Sequence, residues 1–119
     1  MDELIGRLVG NVGVSPTAAE QSIGIILDFL KKEGPPDKVQ ALLDALPGAE
    51  ALLQAQGSDE GGMFMSGLMG AGTRMMALGL SMDQVQAVTR ETIAYTREKA
   101  GEDVVGEIVG AIPGLGQFV

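Results

Sequence analysis

Apolar residues recur along this chain at helical spacing. Ala19, Ile23, Ile26, Leu27 and Leu30 form an i, i+4, i+7, i+8, i+11 stripe. Ile25 and Phe29 widen the apolar surface beyond one face, the pattern of a central, heavily packed helix. Ser15 precedes the stripe as an N-cap, and Pro16 takes the first helical position, where its missing N–H costs nothing. The helix is predicted to run to about Glu33 and to stop at Gly34-Pro35-Pro36. Val39, Leu42, Leu43 and Leu46 predict a second, shorter amphipathic helix closed by Pro47-Gly48, and Ala49, Leu52, Leu53 and Gln56 another short turn of helix.

The same punctuation returns later in the chain. Between Gly13–Gly48 and Gly79–Gly114, an ungapped offset of 66, identities fall at Gly13/Gly79, Ser15/Ser81, Asp37/Asp103, Val39/Val105, Ala45/Ala111, Pro47/Pro113 and Gly48/Gly114. These are residues that start and stop helices: Ser opens one, Asp opens the next, Pro-Gly closes it. Ser81 with Gln84 makes a capping box, followed by Val85, Val88, Thr92 and Tyr95 at helical spacing. The β-branched run Val88, Thr89, Thr92, Ile93 and Thr96 is compatible with a strand by propensity, but the pairing with Pro16 to Glu33 decides for helix. Gly101 breaks it, and Val104, Val105, Ile108, Val109 and Ile112 are expected to face inward on the following helix. Helical stretches from Glu3 to Gly10 and from about Gly62 to Leu78 precede the two copies. The expectation is a single all-α domain over residues 1–119, a compact bundle of six to eight short helices. Its two related halves, about 1–55 and 62–119, are joined by a linker near 56–61 and packed about a pseudo-two-fold axis.

Composition narrows the chemistry. The 119 residues include no His, Cys or Trp, which removes imidazole bases, thiol nucleophiles, disulfides and zinc sites built on His or Cys. Eight Lys and Arg against sixteen Asp and Glu leave a net charge of −8, which repels phosphates and anionic headgroups; with 3% aromatics there is no stacking platform for bases. Nucleic acid is therefore excluded as an expected partner. The acidic start Met1-Asp2-Glu3 lacks the basic, then apolar, pattern of a secretory signal, and the weakly polar stretch Gly61–Thr73 is too short to span a bilayer, so the chain reads as cytoplasmic. Asp59-Glu60 falls in the linker, and Glu102-Asp103 lies at a helix start, where negative charge offsets the macrodipole. Neither matches a calcium loop, Ser66 lacks the G-x-S-x-G elbow, and no phosphate-binding or dinucleotide glycine motif occurs. The expectation is no catalytic residue, no metal and no cofactor.

Three segments are candidates for function. Glycine, 18 of 119, is about twice its usual share, and each one inside a helix costs roughly 1 kcal/mol against Ala. Gly62, Ser66 and Gly70 stand four apart as a flat strip that permits close backbone approach. It suits a central helix threading a crowded bundle, a helix contact across a homodimer, or a membrane-seeking role. Six of seven methionines fall between Met63 and Met82; Met63, Met65, Met69, Met75 and Met76 are candidates either for core filling or for lining an apolar ligand cavity. Leu115, Phe118 and Val119 make an apolar tail, a second candidate contact surface. The densest polar constellation is Arg90, Glu91, Tyr95, Arg97 and Glu98, which reads as solvated helix surface and is the place to look for a functional polar patch.

Leu78-Gly79-Leu80-Ser81, the helix that follows it, Gly101-Glu102-Asp103-Val104-Val105 and Ala111-Ile112-Pro113-Gly114-Leu115 together resemble small bacterial helical domains of the Vcg type, whose function is unknown. Val12-Gly13-Val14-Ser15 and Ala45-Leu46-Pro47-Gly48 extend the likeness over most of the chain, and the Gly-Val-Ser helix start is also similar to YidB-like proteins. The resemblance implies an all-helical fold and carries no catalytic or binding residue. The expected function is that of a non-enzymatic protein acting through protein contacts or self-association, as a homodimer. The alternative is a carrier or sensor of a small apolar ligand.

Overall fold

A computed structural model describes residues 2–55, 67–112 and 114–117. The described residues form seven α-helices and a 3-10 turn: α1 Asp2–Asn11, α2 Pro16–Glu33, α3 Pro36–Asp44, α4 Ala49–Ala55, α5 Gly67–Met76, α6 Met82–Ala100, α7 Glu102–Ala111 and the turn Leu115–Gln117. The expected helix from Gly62 to Leu78 is present as α5; residues 62–66 lie outside the described residues, and Ala77 to Gly79 form a turn instead.

The local punctuation works as the residue types demand. Ser15 Oγ accepts from the Ala18 amide at 3.1 Å, with Pro16 opening α2. The Ser81 box is reciprocal: the Gln84 amide donates to Ser81 Oγ at 3.2 Å, and the Ser81 amide donates to Gln84 Oε1 at 3.0 Å. Asp37 and Asp103 differ from expectation. They sit within the first turns of α3 and α7, where their charge meets the helix dipole, while the N-caps are Pro35 and Gly101 and make no side-chain cap bond. Gly34 ends α2 where a Cβ would stand 2.7 Å from the Leu30 carbonyl oxygen, so only Gly lets α3 turn back this tightly. Gly13 and Gly79, with φ of 86° and 101°, turn the chain into α2 and α6 in a backbone region that L side chains disfavour.

The centre of the bundle is α2, packed against α1, α3, α4, α5 and α6; α6 packs in addition on α7, and α3 on α7. The inward stripe of α2 is Ala19, Ser22, Ile23, Ile26, Leu27 and Leu30, and that of α6 is Val85, Val88, Thr89, Thr92, Ile93 and Thr96, all buried and all in register at the offset of 66. Val39/Val105, Leu42/Ile108, Leu46/Ile112 and Ala49/Leu115 are likewise buried in both halves. The β-branched residues of α6 thus stay helical because one face is buried among α1, α2, α3, α5 and α7, where packing outweighs the few tenths of a kcal/mol of propensity each costs. The radius of gyration is 12.7 Å, close to the roughly 13.5 Å expected of one folded chain of this length. Among the described residues, no helix is long and apolar enough to cross a membrane.

Candidate interaction surfaces

Opposite its buried stripe, α6 carries a strip that is only partly covered. Asp83 and Arg90 are exposed, and Ala87, Glu91 and Ala94 are half-buried along the same strip. Ion pairs elsewhere join Arg7 to Glu3 and Glu98, Asp28 to Lys32 and Arg74, Lys38 to Glu107, and Arg97 to Glu102. Among the described residues Asp83, Arg90 and Glu91 enter none.

At the edge of this strip α1 is fastened to α6. Arg7 donates from Nη1 to Glu98 Oε2 at 2.7 Å and from Nη2 to Glu98 Oε1 at 2.9 Å and Glu3 Oε2 at 3.1 Å. Its guanidinium lies 5.3 Å from the centre of the Tyr95 ring, and Lys99 Nζ lies 5.5 Å from it. The hydrogen bonds from Arg7 hold the Glu98 carboxyl below the usual carboxylate range and raise Arg7 in turn. Below α1, Leu4 and Leu8 are fully buried, so the polar clamp closes over an apolar contact.

On the other flank, Asp28 is the one buried carboxylate among the described residues. Its Oδ2 accepts from Lys32 Nζ and from Arg74 Nη1, each at 3.0 Å, tying α2 to α5. It borders a trough of about 310 Å³ between α2, α3 and α4, with Lys31, Gln40, Leu43, Glu50 and Leu53; a second trough of about 300 Å³ shares Leu43 and Glu50. The Asp28 carboxylate, shared by two cations, holds α5 against α2.

The described residues redistribute the candidates from sequence. Leu115 is corrected: it is 1% exposed and packs in the core from the 3-10 turn, so it forms no contact surface. Phe118 and Val119 lie outside the described residues. Gly70 is buried within α5, while Gly62 and Ser66 lie outside. Met75 fills the core at 2% exposure, whereas Met76 is 44% exposed; Met63, Met65 and the Met69 side chain lie outside the described residues. The exposed partner of Met76 is Met82, at 54% exposure on the first residue of α6. Sequence reasoning passed over it as a surface residue, although its place one residue after the Ser81 cap and off the stripe that begins at Val85 was the available signal. Compared with protein-family models, curated proteins and solved structures, the chain finds no match.

Proposed function

We propose that this is a non-enzymatic all-helical protein of the cytoplasm that acts through protein contacts, self-association among them. The observation that carries the reading is the pair of exposed methionines, Met76 and Met82, at either end of the turn between α5 and α6. The run from Met75 to Met82 contains no charged residue, in a chain where charged residues are 20% of the total. Large flexible thioethers in a charge-free patch adapt to an apolar partner surface without burying an ion. The trough beside Asp28 supports no competing catalytic reading, since its acids and bases are ion-paired or exposed and no imidazole or thiol exists in the chain to act with them. We also read the two halves as copies of one helical unit, a reading supported by the shared register of their buried stripes.

Light scattering on size-separated protein tests the functional reading. The expected mass rises from that of one 12.3 kDa chain toward twice that value between low and high micromolar concentration. Met76→Gln with Met82→Gln should weaken the association. A strict monomer throughout that range overturns self-association.

A further inference from the structure

We propose that Met76 and Met82 form a reversible oxidation site, at which a hydroperoxide converts both thioethers to sulfoxides without disturbing the fold and so disables the apolar contact at the turn between α5 and α6. The oxidation stands on the two side chains alone; the loss of contact rests on the self-association reading above.

Exposure singles out these two sulfurs. Among the described residues, the large apolar side chains most open to solvent are Met82 at 54% and Met76 at 44%, whereas Met75, adjacent in sequence, is 2% exposed. The chain contains no cysteine and no tryptophan, so an oxidant meets no thiol or indole before it meets an exposed thioether. A hydroperoxide transfers one oxygen atom to the sulfur. An S–O bond forms and the O–O bond breaks as sulfur gives up two electrons. A proton passes to the leaving oxygen, which departs as water from hydrogen peroxide or as an alcohol from an alkyl hydroperoxide.

The backbone around the pair needs neither thioether. The amides of Leu78 and Gly79 donate to the carbonyls of Met75 and Met76 at 3.0 Å each, and the capping box is made by Ser81 and Gln84. The turn and the start of α6 are therefore closed without either sulfur. Met82 also stands off the buried stripe, which begins at Val85. At the offset of 66 the matching positions in the first half are Gly10, near the end of α1, and Pro16, at the start of α2, both exposed. One half thus builds this corner with no sulfur, and the other places two exposed thioethers on it.

What oxidation changes is the surface. The run from Met75 to Met82 has no charged residue, and a sulfoxide puts a polar oxygen at each end of it. On the free chain water satisfies that oxygen; in a dry apolar contact nothing does, so the oxidised form favours the separated chains. Reductases specific for each sulfoxide epimer return the thioether, which makes the change reversible.

Hydrogen peroxide applied to the folded natural chain, followed by proteolysis and mass spectrometry, maps the site: Met76 and Met82 should gain oxygen about tenfold or more faster than Met75. Far-ultraviolet circular dichroism should be unchanged. By sedimentation velocity, oxidation should raise the dimer dissociation constant about tenfold or more, and treatment with both reductases should restore it. Met76→Leu combined with Met82→Leu keeps the surface apolar and removes both sulfurs; this variant, verified as folded by circular dichroism, should associate like the natural chain and be indifferent to peroxide. If Met75 oxidises as fast as the pair, or helix is lost with their oxidation, the site is overturned. If peroxide weakens association of the leucine variant as much as that of the natural chain, other methionines carry the effect and the proposal fails. If the natural chain dimerises and oxidation at both positions leaves the constant unchanged, the contact lies elsewhere while self-association stands. A natural chain that stays monomeric removes the self-association reading and the loss of contact with it, and the peptide map alone then decides the oxidation site.

Discussion

Replacing Thr92 with valine should make the protein more stable. Thr92 is fully buried on the stripe of α6, and among the described residues its Oγ1 has no hydrogen-bond partner. A buried hydroxyl without a partner forfeits about 1–3 kcal/mol of hydration. Valine has nearly the same shape and helix propensity, so the exchange opens no cavity and costs nothing in the backbone. The expected gain is about 1–2 kcal/mol, equal to an increase of about 0.5–1 M in the urea midpoint at unchanged slope. The same helix contains its own controls. Thr89 Oγ1 donates to the Val85 carbonyl at 2.9 Å, and Thr96 Oγ1 donates to the Ile93 carbonyl at 2.7 Å. Valine at either place removes a satisfied bond, and the net change should be near zero or destabilising by up to about 1 kcal/mol. Urea unfolding followed by circular dichroism at the helical band compares all three. A lower midpoint for Thr92→Val, or the same shift for all three valines, refutes the reasoning.

Leu115→Ala should cost about 2–4 kcal/mol in the same assay, because the side chain is 1% exposed; an unchanged midpoint would return it to the surface. Gly13→Ala and Gly79→Ala meet no atom within 4 Å at the added Cβ, so each should lose about 1–2 kcal/mol from positive φ alone, and by similar amounts. Glu98 is held below its ordinary value of 4.5, so the stability from its pairing with Arg7 is in place above pH 4.5 and is lost as the pH falls below it. Thermal melts of Arg7→Gln against the natural chain should differ more at pH 7 than at pH 3; equal differences would contradict the pairing.

Helix ends were legible because their signals are local. Ser15-Pro16, Ser81 with Gln84, and Gly101 act through backbone groups within a few residues, and α2 and α6 begin and end where these residues place them. The faces were legible too, since a 3.6-residue period needs no partner to be read. What could not be read were contacts fixed by distant elements. Arg7 meets Glu98 across 91 positions, and nothing near either residue announces the other. Asp28 interrupts the run Ile25-Ile26-Leu27-Asp28-Phe29-Leu30 as though it were solvent-facing, and its burial is set by Arg74 arriving from α5. Leu115 failed as a surface residue for the same reason: with α7 beneath it, a terminal apolar side chain becomes core.

The packing of α2 on α6 and of α3 on α7 has a consequence during synthesis. Thr96, the register mate of Leu30 in α6, is added to the growing chain 66 residues after it. At about 5–20 residues per second that interval lasts about 3–13 s. Throughout it the nascent chain exposes a stripe of isoleucine and leucine that no local partner fully covers. The long-range closure must be completed before the native contacts repay its entropy. Folding therefore waits on nearly the whole polypeptide, and a chain interrupted between the halves would present to the cell an unshielded apolar helix, a substrate for chaperones and proteases.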